Sequence, residues 1–314
     1  MNERWTEARI PDQSGRTVLI TGANSGLGLR SAEVLAAHGA RVLLGCRSPE
    51  RGETALDRVR AAASGANLEL VRLDLADLAS VREAAAKVRE LTGDALDVLM
   101  NNAGVMATAQ GRTADGFELQ FGTNHLGHAA LTWLLMPALR GAPAGRVVTL
   151  SSVAALGAHL HLDDPNAERR RYRAAAAYGQ AKLSNQTFGI ELDRRLRAAD
   201  STVLSVLAHP GYSATGLTTN MASSYRNPVL RTALREIGEL GGMLLAQRVE
   251  HGALPQLYAA TAPDVEGGDY IGPVFAVRGR PAKVRTLAPA RNPEAGTALW
   301  ELTAELTGVT PDPR

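Results

Sequence analysis

The chain has 314 residues and a net charge of +2, and 45% of it is hydrophobic, enough to bury one large α/β core or two small ones. Aromatic residues make up only 4%, which excludes an extended base-stacking surface for single-stranded nucleic acid. A single cysteine, Cys46, excludes an intramolecular disulfide and a cysteine metal cluster.

Residues 1–14 read as a loose polar arm, and the first twelve carry no secretory pattern, so a cytoplasmic location is expected. Residues 17–21 form the apolar run of a buried strand, and 26–38 a helix closed by Gly39. Strand 41–45 is followed by helix 49–63, with Pro49 in the favoured first position. Strand 68–73 leads to helix 77–91, capped by Asp77. Strand 95–100, a largely helical stretch 115–139, strand 146–150, helix 174–198 and strand 202–208 continue the alternation. The longest apolar run, near 126–139, is interrupted by His128 and Pro137 and is too short to span a bilayer, so no membrane partner is expected.

Repeated strand–helix units with near-continuous apolar strands predict one α/β domain over 15–314. Its core would be a Rossmann-type, doubly wound parallel sheet with helices on both faces. From 210 to 263 the pattern changes to loop and helices carrying Met221, Met243, Leu244 and Leu245. This reads as a helical substrate lid, with ordinary helical packing as the alternative. Residues 270–277 read as a last strand, and 296–307 as a helix within the tail 291–314.

The chemistry-bearing residues fall at the carboxyl ends of these strands, where ligands bind in such sheets. Thr21-Gly22-Ala23-Asn24-Ser25-Gly26-Leu27-Gly28 follows a strand and opens a helix, a turn that lets backbone approach a pyrophosphate at a helix N-terminus. An NAD-binding sheet usually places a carboxylate about twenty residues further on. Here the second strand ends in Gly45-Cys46-Arg47-Ser48, so Arg47 is expected to meet the 2′-phosphate of NADP(H), with NAD(H) less favoured. Arg30 either assists or faces solvent. Asp74 either accepts from the adenine amine or begins the following turn.

Tyr178 and Lys182, in Y-G-Q-A-K, share one helix face, and Lys182 is one of only three lysines. A nearby ammonium favours the phenolate and makes the tyrosine a proton donor or acceptor. Ser151 and Ser152 end the fifth strand, and only one of them can face a site. His159 and His161 lack a third nearby ligand, so no metal is expected. His125 and His128 read as packing or hydrogen-bonding groups. Arg169, Arg170, Arg171 and Arg173 form a basic run that is either a solvated face or an anion contact.

With these motifs in this order, the chain resembles the short-chain dehydrogenase/reductase family from about residue 15 to 277. The set comprises the turn at 21–28, D-L at 74–75, N-N-A-G at 101–104, N-H-L-G-H at 124–128, Ser151-Ser152, Y-x-x-x-K at 178–182 and P-G-x-x-x-T at 210–215. Local wording is most similar to the retinol dehydrogenase and protochlorophyllide reductase branch and its soluble bacterial relatives.

The resemblance implies Tyr178 as general acid in reduction and base in oxidation. Lys182 would hold the nicotinamide ribose and lower the Tyr178 pKa. Ser152 would bond the substrate carbonyl, and Asn124 would support a water-mediated proton relay to Lys182. Asn102, Ala103 and Gly104 would line the adenosine side, and Thr215 the nicotinamide end. Asp74, Leu75, Pro210 and Gly211 join Gly22, Asn24, Ser25, Gly26, Leu27 and Gly28 in the implied cofactor site. Two departures stand out. The gap from Ser152 to Tyr178 is long (178 − 152 = 26) and holds an extra piece at 159–173. No counterpart of the membrane anchor of several animal retinol dehydrogenases is expected, which weakens retinoids as substrate.

The expected activity is NADP(H)-dependent hydride transfer to or from a medium-sized hydrophobic ketone, aldehyde or alcohol. Reduction of an activated carbon–carbon double bond, or a non-catalytic NADP-sensing or scaffold role, are the alternatives. The expected partner is a small-molecule substrate, not nucleic acid. Homodimer, homotetramer and monomer are all left open.

Overall fold

The computed structural model describes residues 5–211 and 248–313. Among the described residues, eight strands form one sheet in the order β3-β2-β1-β4-β5-β6-β7-β8. In chain order they are β1 Thr17–Thr21, β2 Arg41–Cys46, β3 Leu68–Arg72, β4 Val98–Asn101, β5 Arg146–Leu150, β6 Leu204–Ala208, β7 Tyr270–Pro273 and β8 Pro281–Val284. Neighbouring strands run parallel from β3 through β7, so these carboxyl ends share one edge of the sheet.

The main helices are α1 Gly26–Ala37, α2 Pro49–Ala62, α3 Leu78–Thr92, α4 Leu119–Phe121, α5 Gly127–Gly141, α6 Ala174–Ala198, α7 Val249–Thr261 and α8 Pro293–Thr307. Period-two alternation sorts the strand side chains into two cores. Val18, Ile20, Val42, Leu44, Val98 and Met100 pack with residues of α1, α2 and α7. Leu19, Leu43, Leu99 and Val147 pack with residues of α3, α5, α6 and α8 on the other face. Local chemistry sets several boundaries. Asp77 caps α3 by accepting from the Ala79 and Ser80 amides at 2.9 and 3.4 Å. Gly93 ends that helix in the left-handed region, at φ 57°.

Four expectations need correction. The arm at 1–14 is not loose where it is described: the Trp5 and Tyr258 rings lie 5.0 Å apart, Ile10 is buried, and Arg30 on α1 pairs with Glu7 at 2.7 Å. The stretch 115–139 is largely helical as expected, but the helical part begins only at Leu119. It contains α4, a π-helical turn at Gly122–Leu126, and α5. The strand placed at 270–277 stops at Pro273, and the chain reverses into β8, which pairs antiparallel with β7. Pro273 has no amide to donate, and Ala276 and Gly279 take the positive φ values of the reversal, 59° and 124°.

The fourth correction concerns the lid at 210–263. Its last part, α7, packs against α1 and the sheet, burying Ala253, Leu257, Ala259 and Ala260. Gln256 on α7 donates to the Ser31 hydroxyl of α1 at 2.6 Å. Small residues let α7 sit close to the sheet, so this helix belongs to the covering layer. The lid residues Tyr212, Met221, Met243, Leu244 and Leu245 lie outside the described residues. Among the described residues, no helix is long and apolar enough to cross a membrane.

Candidate active site

The glycine-rich turn bends where β1 gives way to α1. Gly22 sits at φ 67°, and a Cβ there would fall 2.9 Å from the Ala103 Cβ. A Cβ at Gly28 would lie 2.5 Å from both the Gly22 carbonyl oxygen and the Asn102 Nδ2. Ser25 occupies the N-cap of α1, but its side chain makes no cap hydrogen bond, and the first turn holds no acidic side chain. Those helix amides are therefore oriented for an anion.

The N-N-A-G segment after β4 is fastened to the end of β1. The Thr21 hydroxyl accepts from the Asn102 and Ala103 amides at 3.0 and 2.9 Å, and Asn102 Nδ2 donates to the Thr21 carbonyl at 2.7 Å. Between these segments runs a cleft lined by Gly22, Asn24, Ser25, Gly26, Leu27, Gly28, Arg47, Asp74, Leu75, Asn102, Ala103 and Gly104. Each had been picked out in the sequence. Gly45, Ser48, Arg51, Leu73, Val105 and Thr123 also line it and were missed. Arg51 stands four residues after Arg47 in the first turn of α2, a spacing that would have drawn attention to it.

Asp74 both lines the cleft and caps its own turn, since its Oδ1 accepts from the Ala76 amide at 3.0 Å. Arg30 does not line the cleft; it pairs with Glu7 and Glu33.

On α6, Tyr178 and Lys182 are both buried, and the Lys182 Nζ lies 5.9 Å from the centre of the Tyr178 ring. The Lys182 Nζ donates to the Leu150 carbonyl at 3.1 Å. Burial pushes Lys182 down to about 8. Burial also pushes Tyr178 up to about 12, against a hydrogen bond with Ser152 that works the other way. The expected lowering of the phenol by the ammonium does not contribute to this shift, which is set by withdrawal from water.

The serine ambiguity is resolved by register. Ser152 shares its hydrogen bond with Tyr178 and also accepts from the Ala154 amide at 3.2 Å. Ser151 points the other way: its hydroxyl donates to the Lys182 carbonyl at 2.8 Å and accepts from Gln186 at 3.1 Å.

Asn124 lies in the π-helical turn, wholly buried. Its amide grips Val105 at both ends, accepting from the Val105 N–H and donating to the Val105 carbonyl, each at 2.8 Å. A Cβ at Gly104 would sit 3.0 Å from Asn124 Oδ1 and 3.7 Å from Lys182 Nζ, so Gly104 adjoins both the cleft and this polar group.

Gly211 is buried at φ 68° and donates its amide to His209 Nδ1 at 3.3 Å, which shapes the Pro210-Gly211 turn after β6. Thr215 lies outside the described residues.

The extra piece at 159–173 docks on the segment before α5. The Tyr172 hydroxyl donates to the Thr108 carbonyl at 3.0 Å and accepts from Gln120 at 2.9 Å, and Asn166 accepts from the Glu118 amide at 2.9 Å. Within the basic run, Arg169 pairs with Asp163 at 2.9 Å and Arg170 donates to Gln180 at 2.8 Å. His159 and His161 are exposed, and no group of three or more metal-ligand side chains occurs among the described residues. His125 is buried, within hydrogen-bond distance of Thr303 and Asn185.

A family model described as short chain dehydrogenase matches residues 16–226. This chain belongs to the short-chain dehydrogenase family. Among curated proteins, this short-chain dehydrogenase is 38% identical over 310 residues to human retinol dehydrogenase 13, covering 97% of this chain and 87% of the relative. It is 38% identical over 308 residues to mouse polyprenol dehydrogenase, covering 96% and 86%. A crystal structure of an uncharacterized protein from Mycobacterium paratuberculosis superposes with a TM-score of 0.80 at 41% identity, covering 98% of each chain. The short-chain dehydrogenase is therefore an oxidoreductase of the retinol dehydrogenase-like branch, and its family binds a nicotinamide cofactor.

Proposed function

We propose that this short-chain dehydrogenase transfers hydride between NADP(H) and a hydrophobic ketone, aldehyde or alcohol. The observation that carries the proposal is the grouping of Ser152, Tyr178, Lys182 and Asn124 next to Gly104, at the inner end of a cleft fit for a dinucleotide.

When bound, the nicotinamide supplies the hydride. The protein's part is to position and to move a proton. Tyr178, kept protonated by burial, donates to the forming alkoxide in reduction and accepts from the alcohol in oxidation. Ser152, bonded to Tyr178, holds the carbonyl oxygen as negative charge develops on it. Lys182 supplies a positive charge beside the Tyr178 ring and would hold the nicotinamide ribose when the cofactor is bound. Asn124 holds the Val105 backbone in place and supports proton passage to Lys182.

Arg47 and Arg51 at the β2 end of the cleft support NADP(H), because guanidinium groups match a 2′-phosphate and, among the described residues, the one lining carboxylate, Asp74, comes from the end of β3 and not of β2. The residues fit the cofactor: a helix start without a side-chain cap faces the pyrophosphate position. The relatives, a retinol dehydrogenase and a polyprenol dehydrogenase, support an apolar alcohol or its carbonyl as substrate. The proposal includes a cytoplasmic location and one catalytic domain over residues 15–314.

The test follows NADPH consumption with retinal, aromatic ketones, aliphatic aldehydes, quinones and activated alkenes, using Tyr178→Phe as control. Tyr178→Phe is expected to lose at least about a hundredfold in turnover while keeping NADPH binding. Equal turnover by the two proteins would refute the role of Tyr178. Turnover of alkenes alone would move the reaction to carbon–carbon double bonds.

A further inference from the structure

We infer that His128 is a positioning residue, one that ties the cofactor-binding turn to Asn124 through a directed chain of hydrogen bonds. The inference rests on the proposed function for its activity readout, though not for its binding readout. His128 is 2% exposed and lies in the first turn of α5. Its Nδ1 is 2.9 Å from the Asn124 carbonyl oxygen, and its Nε2 is 2.9 Å from the Thr21 hydroxyl.

The direction of the chain follows from donor and acceptor chemistry. A carbonyl oxygen only accepts, so Nδ1 carries the hydrogen. Burial first, and the Lys182 charge in addition, hold the ring neutral, with its pKa down at about 3. A neutral ring with hydrogen on Nδ1 has a bare Nε2, which accepts from the Thr21 hydroxyl. That hydroxyl in turn accepts from the Asn102 and Ala103 amides. The single Thr21 hydroxyl hydrogen has two acceptors in reach, His128 Nε2 at 2.9 Å and the more distant Met100 carbonyl at 3.3 Å, and the closer one continues the line from the N-N-A-G amides through Thr21 and His128 to Asn124.

The geometry makes this more than core packing. Asn124 uses its side chain on Val105 and its carbonyl on His128. Gly104, beside Val105, adjoins both groups: a Cβ there would lie 3.0 Å from Asn124 Oδ1 and 3.7 Å from Lys182 Nζ. A shift at Thr21, where the glycine turn begins, therefore reaches the proton-handling side through one rigid ring.

Two variants cut the chain at different links. In His128→Asn the amide nitrogen takes the place of Nδ1 and can still donate to Asn124, but it no longer reaches Thr21. In His128→Gln the amide oxygen takes the place of Nε2 and can still accept from Thr21, but the donor to Asn124 is lost. His128→Asn is expected to weaken NADPH binding, measured by the nucleotide's fluorescence, about tenfold. His128→Gln is expected to bind NADPH within about twofold of wild type and to lose about tenfold in kcat at unchanged KM for the carbonyl substrate.

Nitrogen NMR of the wild-type ring, identified by its loss in His128→Gln, is expected to show the Nδ1–H tautomer. An Nε2–H tautomer overturns the inference, as does NADPH binding that is the same in both variants. A wild type that binds NADPH but reduces no carbonyl defeats the functional proposal, while the binding difference between the variants still decides His128.

Discussion

The ammonium of Lys182 lies 5.9 Å from the centre of the Tyr178 ring and is anchored on the Leu150 carbonyl at 3.1 Å. The two groups are displaced in opposite directions by the same burial, lysine down to about 8 and tyrosine up to about 12. Above pH 8 the folded protein gives up the Lys182 proton, while an unfolded chain keeps it until about 10.5. The unfolded state then binds more protons, so this site adds stability as pH rises from about 8 to 10.5, and that stability is lost as pH falls back through 8. Tyr178 stays neutral across that window. Thermal unfolding of wild type should therefore gain on Lys182→Met between pH 8 and 10, and a constant difference between the two would contradict a buried, depressed lysine.

Ser151 and Ser152 should fail in different ways. Ser152→Ala removes the group bonded to Tyr178 and is expected to lower kcat by at least about tenfold with an unchanged melting temperature. Ser151→Ala leaves the Lys182 carbonyl and Gln186 short of a partner and should cost about 1–3 kcal/mol of stability. Denaturant unfolding alongside kinetics separates them.

Arg47 and Arg51 line the same end of the cleft. Replacing either by Ala should raise the KM for NADPH about tenfold and leave that for NADH unchanged, since only NADPH carries the 2′-phosphate. Equal effects on both nucleotides would remove the basis for NADP(H) preference.

Gly28→Ala would set a methyl group 2.5 Å from the Gly22 carbonyl and the Asn102 amide. Backbone cannot yield there without opening the turn, so a loss of about 1–3 kcal/mol in stability and of nucleotide binding is expected. Titration with NADPH and a melting curve check both.

Cys46 is buried on β2, and burial pushes its thiol up to about 11. A maleimide reagent at neutral pH should label the native protein only as fast as it opens. Rapid labelling without denaturant would contradict this placement.

Strands and helices from β1 to α6 could be read from the sequence because their signals are local: apolar runs, a capping Asp77, a closing Gly39, and a four-residue spacing on one helix face. The glycine turn, Arg47, Tyr178 and Lys182 were picked out for the same reason, and Asn124 only through the family resemblance. Other features depend on what packs across from them. β8 needed the partner strand β7 to exist, and α7 became a covering helix only against α1. The sequence named both serines, but the pleat of β5 decided which one meets Tyr178. It also implied a tyrosine whose pKa is lowered by the lysine, whereas burial, which no short spacing records, raises it. The link from Thr21 through His128 to Asn124 spans 107 positions at its first step, so only the tertiary structure could bring those atoms within bonding distance.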